Sequence, residues 1–131
     1  MTLVVAYVPR PEGQAALDKG IEIAKRRNER LIVVNVSPDG DAADSAYVDV
    51  PDFERVQSLL EHTGLDVDFK QFVRGKQAVE EIQALVDSVQ ATLLVIGLRK
   101  RTPLGKLIMG SVAQELLLTV SCPVLAVKAQ G

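Results

Sequence analysis

Val95-Ile-Gly97-Leu-Arg-Lys-Arg-Thr-Pro-Leu-Gly-Lys-Leu-Ile-Met-Gly110-Ser111 joins the apolar run Ala91 to Ile96 to the amphipathic run Val112 to Leu118, and it reads as strand, cationic glycine-bearing loop and helix. The first N–H groups of a helix have no intrahelical partners and carry the positive end of the macrodipole, so an anion placed at such a junction is stabilised. Arg99, Lys100, Arg101 and Lys106 put four of the fifteen basic residues into eight positions. That concentration favours an anionic ligand, phosphate first.

The same alternation extends through the rest of the chain. Leu3-Val-Val-Ala-Tyr-Val8 is a continuous apolar, β-branched run, the pattern of a strand buried on both faces, and Pro9 and Pro11 end it. From Glu12 to Asn28, Ala16, Leu17, Gly20, Ile21 and Ala24 recur at helical spacing, with Asp18, Lys19, Lys25 and Arg26 on the other side. Leu31 to Val36 repeats the buried-strand pattern, and the aperiodic stretch Ser37 to Val50 reads as a loop. Phe53, Val56, Leu59 and Leu60 mark a second helix ending near Gly64. Leu65 to Val73 alternates at period two, which predicts a half-exposed third strand at a sheet edge. Val79, Ile82, Leu85, Val86 and Val89 build a third helix, Thr92 to Ile96 a fourth strand, Ser111 to Thr119 a fourth helix, and Val124 to Val127 a last strand.

Strands alternating with helices specify an α/β domain, a doubly wound, mainly parallel five-stranded sheet with helices on both faces. In such sheets ligands bind beyond the carboxyl ends of the strands, where the strand order reverses. The Gly97 loop leaves the carboxyl end of strand four and the Pro9 loop that of strand one. If those strands are neighbours, the two loops wall one crevice.

Composition narrows the functional classes. The 131 residues fit one domain, residues 1–131, able to bury a core without metals or disulfides. A net charge of −2 and a pI near 5.4 give no global pull toward nucleic acid. No apolar stretch approaches the ~20 residues needed to cross a bilayer. With Cys122 as the single cysteine and no basic region ahead of the short N-terminal apolar run, residence in the cytoplasm is expected.

Several motifs fail on inspection. Gly105-Lys106 would need a glycine at Lys100 and a hydroxyl at Leu107 to be a phosphate-binding P-loop, and no G-x-G-x-x-G follows strand one. Asp39, Asp41 and Asp44 begin like a calcium loop, but Ala43 and Val50 occupy ligand positions. One histidine, His62, and one cysteine cannot build a tetrahedral N/S metal site. Cys122, before Pro123, is expected to pack as a small hydrophobe.

The glycine-bearing junction itself has bland readings beside the functional one. Ser111 and Gln114 form a capping-box pattern, a role compatible with phosphate contact. Gly97 could serve to end the strand and Gly110 to let the chain turn into the helix. Lys100 adds a Cβ that obstructs close approach and an ammonium that attracts phosphate.

On Val95-Ile-Gly97, Gly110-Ser111 and Cys122-Pro-Val-Leu-Ala-Val-Lys128, the chain resembles the universal stress protein family over nearly its whole length. Nucleotide-binding members carry glycine, two residues, glycine, nine residues, then glycine and serine or threonine. Here Gly97, Gly110 and Ser111 match, and Lys100 stands at the second glycine. The positions after strand one that receive the adenosine moiety in the family are Val8, Pro9 and Arg10. The resemblance implies strand order 3-2-1-4-5, dimerisation through the last strand, Val124 to Val127, and ATP or AMP as ligand, with no settled catalytic activity. The expected site is therefore Gly97, Arg99, Lys100, Gly110 and Ser111 for phosphate, with Val8 and Pro9 toward the nucleoside. A non-enzymatic nucleotide-binding or signalling module is expected, and a dimeric scaffold that binds no nucleotide is the alternative.

Overall fold

The computed structural model describes residues 1–36, 48–72, 75–100, 107–108 and 110–129, with the side chains of these except at positions 36, 72, 75–78, 100, 107, 108 and 111. The elements run β1 (Thr2–Tyr7), α1 (Pro11–Arg27), β2 (Arg30–Val36), α2 (Val50–Glu61), β3 (Val67–Phe72), α3 (Gly75–Val89), β4 (Leu93–Lys100), β5 (Leu107–Ile108), α4 (Ser111–Thr119) and β6 (Val124–Lys128). The five longer strands are all parallel and lie in the order β3-β2-β1-β4-β6, which is the expected 3-2-1-4-5. β5 is an addition that the sequence pattern did not signal, two residues pairing antiparallel with Arg99 and Lys100.

Strand alternation divides the core in two. Leu3, Val5 and Tyr7 of β1 with Leu31 and Val33 of β2 pack against Ala16, Leu17 and Ala24 of α1 and Val56 and Leu60 of α2. On the other face, Val4, Ile32, Val34, Leu94 and Ile96 pack against Val79, Ile82 and Val86 of α3 and Leu116 of α4. Two consecutive residues of one strand thus serve opposite layers, which is why these strands read as unbroken apolar runs. Phe69 of β3 is buried while Asp68 and Lys70 beside it are partly exposed, as an edge strand requires.

Two boundaries differ from expectation. Part of the loop expected over Ser37–Val50 lies outside the described residues, but α2 already begins at Val50, three residues before Phe53. Asp49 caps it by accepting from the Asp52 N–H at 3.0 Å, and Pro51 supplies the fixed φ of a first turn. β4 does not stop at Ile96. It continues through Gly97 to Lys100 because β6 pairs with it from Leu94 as far as Leu98, and β5 takes over at Arg99.

Candidate functional site

The strand order reverses between β1 and β4, which are hydrogen-bonded neighbours over Leu3–Val5 and Leu93–Val95. Beyond the Val5–Val95 rung the two strands part, β1 ending at Tyr7 and β4 running on to Lys100. The seam between their carboxyl ends is the position at which a doubly wound sheet holds a ligand.

The first turn of α1 is wedged into that seam. A Cβ on Gly13 would overlap the Val8 carbonyl, and one on Gly97 would overlap the Glu12 carbonyl. Gly97 therefore does not end its strand. It lies within β4, and its missing side chain lets α1 close on the sheet. Val8 and Pro9 lead into this turn, with the Arg10 N–H donating to the Val8 carbonyl at 2.8 Å and Arg10 standing as an N-cap without a side-chain capping bond. The structure thus brings Val8 and Gly97 together through one helical turn, and sequence reasoning missed the two residues that do it, Glu12 and Gly13.

On the other side of the seam, α4 begins at Ser111. Gly110, not Ser111, is its N-cap, since the Gln114 N–H reaches the Gly110 carbonyl at 2.9 Å, and a glycine has no side chain with which to cap the helix. The expected Ser111–Gln114 capping box is not the start of this helix, because Ser111 already has helical backbone geometry and the two capping positions fall to Gly110 and Ala113, which have no polar side chains. Gly110 has φ −63° and ψ 158°, which any residue adopts, and no described atom lies within 4 Å of where its Cβ would be. Among the described residues neither the turn nor local packing accounts for a glycine there. Arg99 shares the Gly97 face of β4 by alternation. Its Nε is buried and has no hydrogen-bond partner among the described residues. The side chains of Lys100 and Ser111, and Arg101 and Lys106 altogether, lie outside the described residues.

A polar network braces the carboxyl ends of the other strands. Asn35, fully buried, donates from Nδ2 to the Tyr7 carbonyl at 3.0 Å, while its Oδ1 accepts from the Val48 N–H at 3.3 Å and from Gln71 Nε2 at 3.1 Å. The Tyr7 hydroxyl donates to Asp52 Oδ2 at 2.9 Å and accepts from Arg55 Nη2 at 2.9 Å, and that Nη2 also reaches Gln14 Oε1 at 3.1 Å. Burial, then the hydrogen bond and charge of Asp52, push the Tyr7 phenol up to about 12 against the opposing pull of Arg55. Asn35 was visible in sequence as the one polar interruption of an apolar strand. The Tyr7–Asp52–Arg55 triad was not, since its members lie 45 and 48 positions apart.

His62 is exposed at the end of α2, and Cys122 is half-buried against the α3–α4 layer, where burial pushes its thiol upward, away from reactivity. Among the described residues no group of three or more His, Cys, Asp or Glu is placed to hold a metal ion, and no helix is long and apolar enough to cross a membrane.

The profile of the Universal stress protein family matches residues 1–128. A universal stress protein of Mycolicibacterium smegmatis is 43% identical over 129 residues, spanning 98% of both chains. A solved universal stress protein from Archaeoglobus fulgidus shares 31% identity with a TM-score of 0.71 over 98% of both chains. A universal stress protein from the same organism in complex with dAMP shares 25% identity with a TM-score of 0.65, again over 98% of both.

Proposed function

The chain belongs to the universal stress protein family, and from that premise we propose that it is a cytoplasmic binding or signalling module, not an enzyme, whose β1–β4 crevice takes an adenine nucleotide, AMP or ATP, with phosphate at the N-terminus of α4. One observation carries the reading: α4 opens on a glycine that no described packing contact or backbone strain requires, and this N-cap residue makes no side-chain capping bond. A helix start whose N-cap residue has no side chain leaves its first N–H groups to be met by another acceptor, and phosphate is suited to that place. The buried Arg99 Nε, without a hydrogen-bond partner among the described residues, fits the same ligand, because a guanidinium donor there would find its acceptor in a phosphate oxygen. The dAMP complex of the Archaeoglobus fulgidus relative supports an adenine nucleotide over other anions.

Dimerisation belongs to the same proposal. Among the described residues β6 pairs with β4 alone, leaving one edge of Val124–Lys128 open, and Leu117 and Leu118 of α4 are exposed. A second copy pairing along β6 would satisfy that edge.

Calorimetric titration with AMP and ATP, alongside a search for nucleotide carried through purification, tests the binding. Saturable binding weakened by added salt is the expected result, since the phosphate contacts are charged. No binding heat and no co-purified nucleotide would leave the protein a scaffold of the same fold.

A further inference from the structure

At the amino ends of β4 and β6, the opposite end of the sheet from the nucleotide crevice, a cavity of about 500 Å³ lies against the last turn of α3. Two helices end at it. α3 stops at Val89 and α4 at Thr119, and residues just past both stops, Gln90 and Ser121, line the cavity. The last carbonyls of a helix lack intrahelical donors and carry the negative end of the macrodipole, which a basic residue in the last turn offsets. Neither helix has one. Asp87 adds a full negative charge to the same wall. Its Oδ1 accepts from the Ser121 hydroxyl at 2.7 Å, and it makes no ion pair among the described residues. Cys122, also in the lining, registers that charge: burial first, then Asp87, push its thiol up.

Gln90 is a second and separate sign of a ligand. It sits at φ 50°, the left-handed conformation that lets the Ala91 N–H turn back to the Val86 carbonyl at 3.0 Å. Glycine ends a helix this way without steric cost, whereas a glutamine there lowers stability. Residues held in such conformations concentrate at binding sites. The Gln90 amide makes no hydrogen bond among the described residues, so its oxygen is open to a donor.

The chemistry of the occupant follows from these groups. Every one of them favours positive charge, and among the described residues no three His, Cys, Asp or Glu converge as metal ligands. Val86, Ala91 and Pro123 give the cavity an apolar side suited to a methylene chain. We propose that it binds a small alkylammonium compound, with the ammonium between Asp87 and the ends of α3 and α4, the chain against the apolar side, and Gln90 as a further acceptor. The site is separate from the nucleotide crevice and does not depend on it.

Putrescine titrated into the full chain, followed by amide NMR at constant ionic strength with butanediol as the uncharged control, tests this. Saturable shifts around Asp87, Gln90 and Ser121 are expected with the diamine alone. Asp87→Asn, whose side chain can still accept from Ser121, should weaken binding about fivefold, the scale of an exposed ion pair. Gln90→Gly should melt at a higher temperature than the wild type and yet bind putrescine about threefold less tightly, a split that a merely structural glutamine would not produce. No saturable shift, equal shifts with butanediol, or unchanged affinity in Asp87→Asn overturns the proposal. A Gln90→Gly variant that binds as the wild type does overturns the part given to Gln90.

Discussion

Gly97 and Gly110 look alike in sequence, two glycines flanking one basic segment, and differ in what a methyl group would meet. At Gly97 it meets the backbone of Glu12, which cannot swing aside as a flexible side chain would. Gly97→Ala should therefore push α1 off the sheet and destabilise the fold by about 1–3 kcal/mol, the usual cost of overpacking. At Gly110 the methyl meets no described atom, and the only local cost is a poorer N-cap, at most about 1 kcal/mol. Gly110→Ala should instead lower AMP affinity by about tenfold, because the methyl occupies the approach to the first N–H groups of α4. Urea unfolding and calorimetry on both variants check this. The reverse pattern, a stable Gly97→Ala beside a Gly110→Ala that unfolds early yet binds normally, would refute it. The spacing of these glycines was legible in the sequence. Their separate duties were not, since the partner of Gly97 lies 85 positions away in the chain.

Among the elements, α2 shows how a helix with a modest apolar stripe is fixed in place. Val56 and Leu60 are buried and Phe53 stacks on Phe69 with centroids 4.6 Å apart, but its N-terminal end is tied down by polar contacts to Tyr7. That tie is titratable. The unfolded phenol ionises near pH 10 and the folded one near 12. Between those values the folded chain holds a proton that the unfolded chain has lost, so stability falls as pH rises. The Tyr7 contribution is complete below pH 10, and by pH 12 about 2–3 kcal/mol of it is gone. Tyr7→Phe should be the less stable protein at neutral pH, and its deficit should narrow between pH 10 and 12. Unfolding midpoints of both proteins across that range measure the narrowing, and parallel curves would show that the phenol keeps its ordinary pKa.

Across the whole molecule, the sheet buries both faces, and among the described residues neither of its edges is paired. β3 manages its edge with Asp68 and Lys70, both partly exposed and paired at 3.7 Å. β6 offers less protection, with Ala126 exposed, Leu125 half-buried and Lys128 at the far end the only charge. A two-fold antiparallel pairing of β6 with a second copy is self-complementary and stops at a dimer. Leu125→Lys should shift the protein toward monomer in sedimentation velocity while leaving the helical circular dichroism intact. A wild type that sediments as a monomer at tens of micromolar, roughly where a micromolar interface would be filled, counts against it.

The sequence alone determined the layered architecture, because periodicity is a local property: runs such as Leu31 to Val34 are apolar throughout only when both faces of a strand are covered. It also determined which junction carries the positive charge. Tertiary structure decided how that junction is used. Whether Gly97 ends a strand or admits a helix depends on where α1 returns, and whether Ser111 caps α4 depends on the backbone angles of Gly110. These are contacts between segments remote along the chain. Their geometry is set by packing both layers at once, and no window of sequence contains both partners.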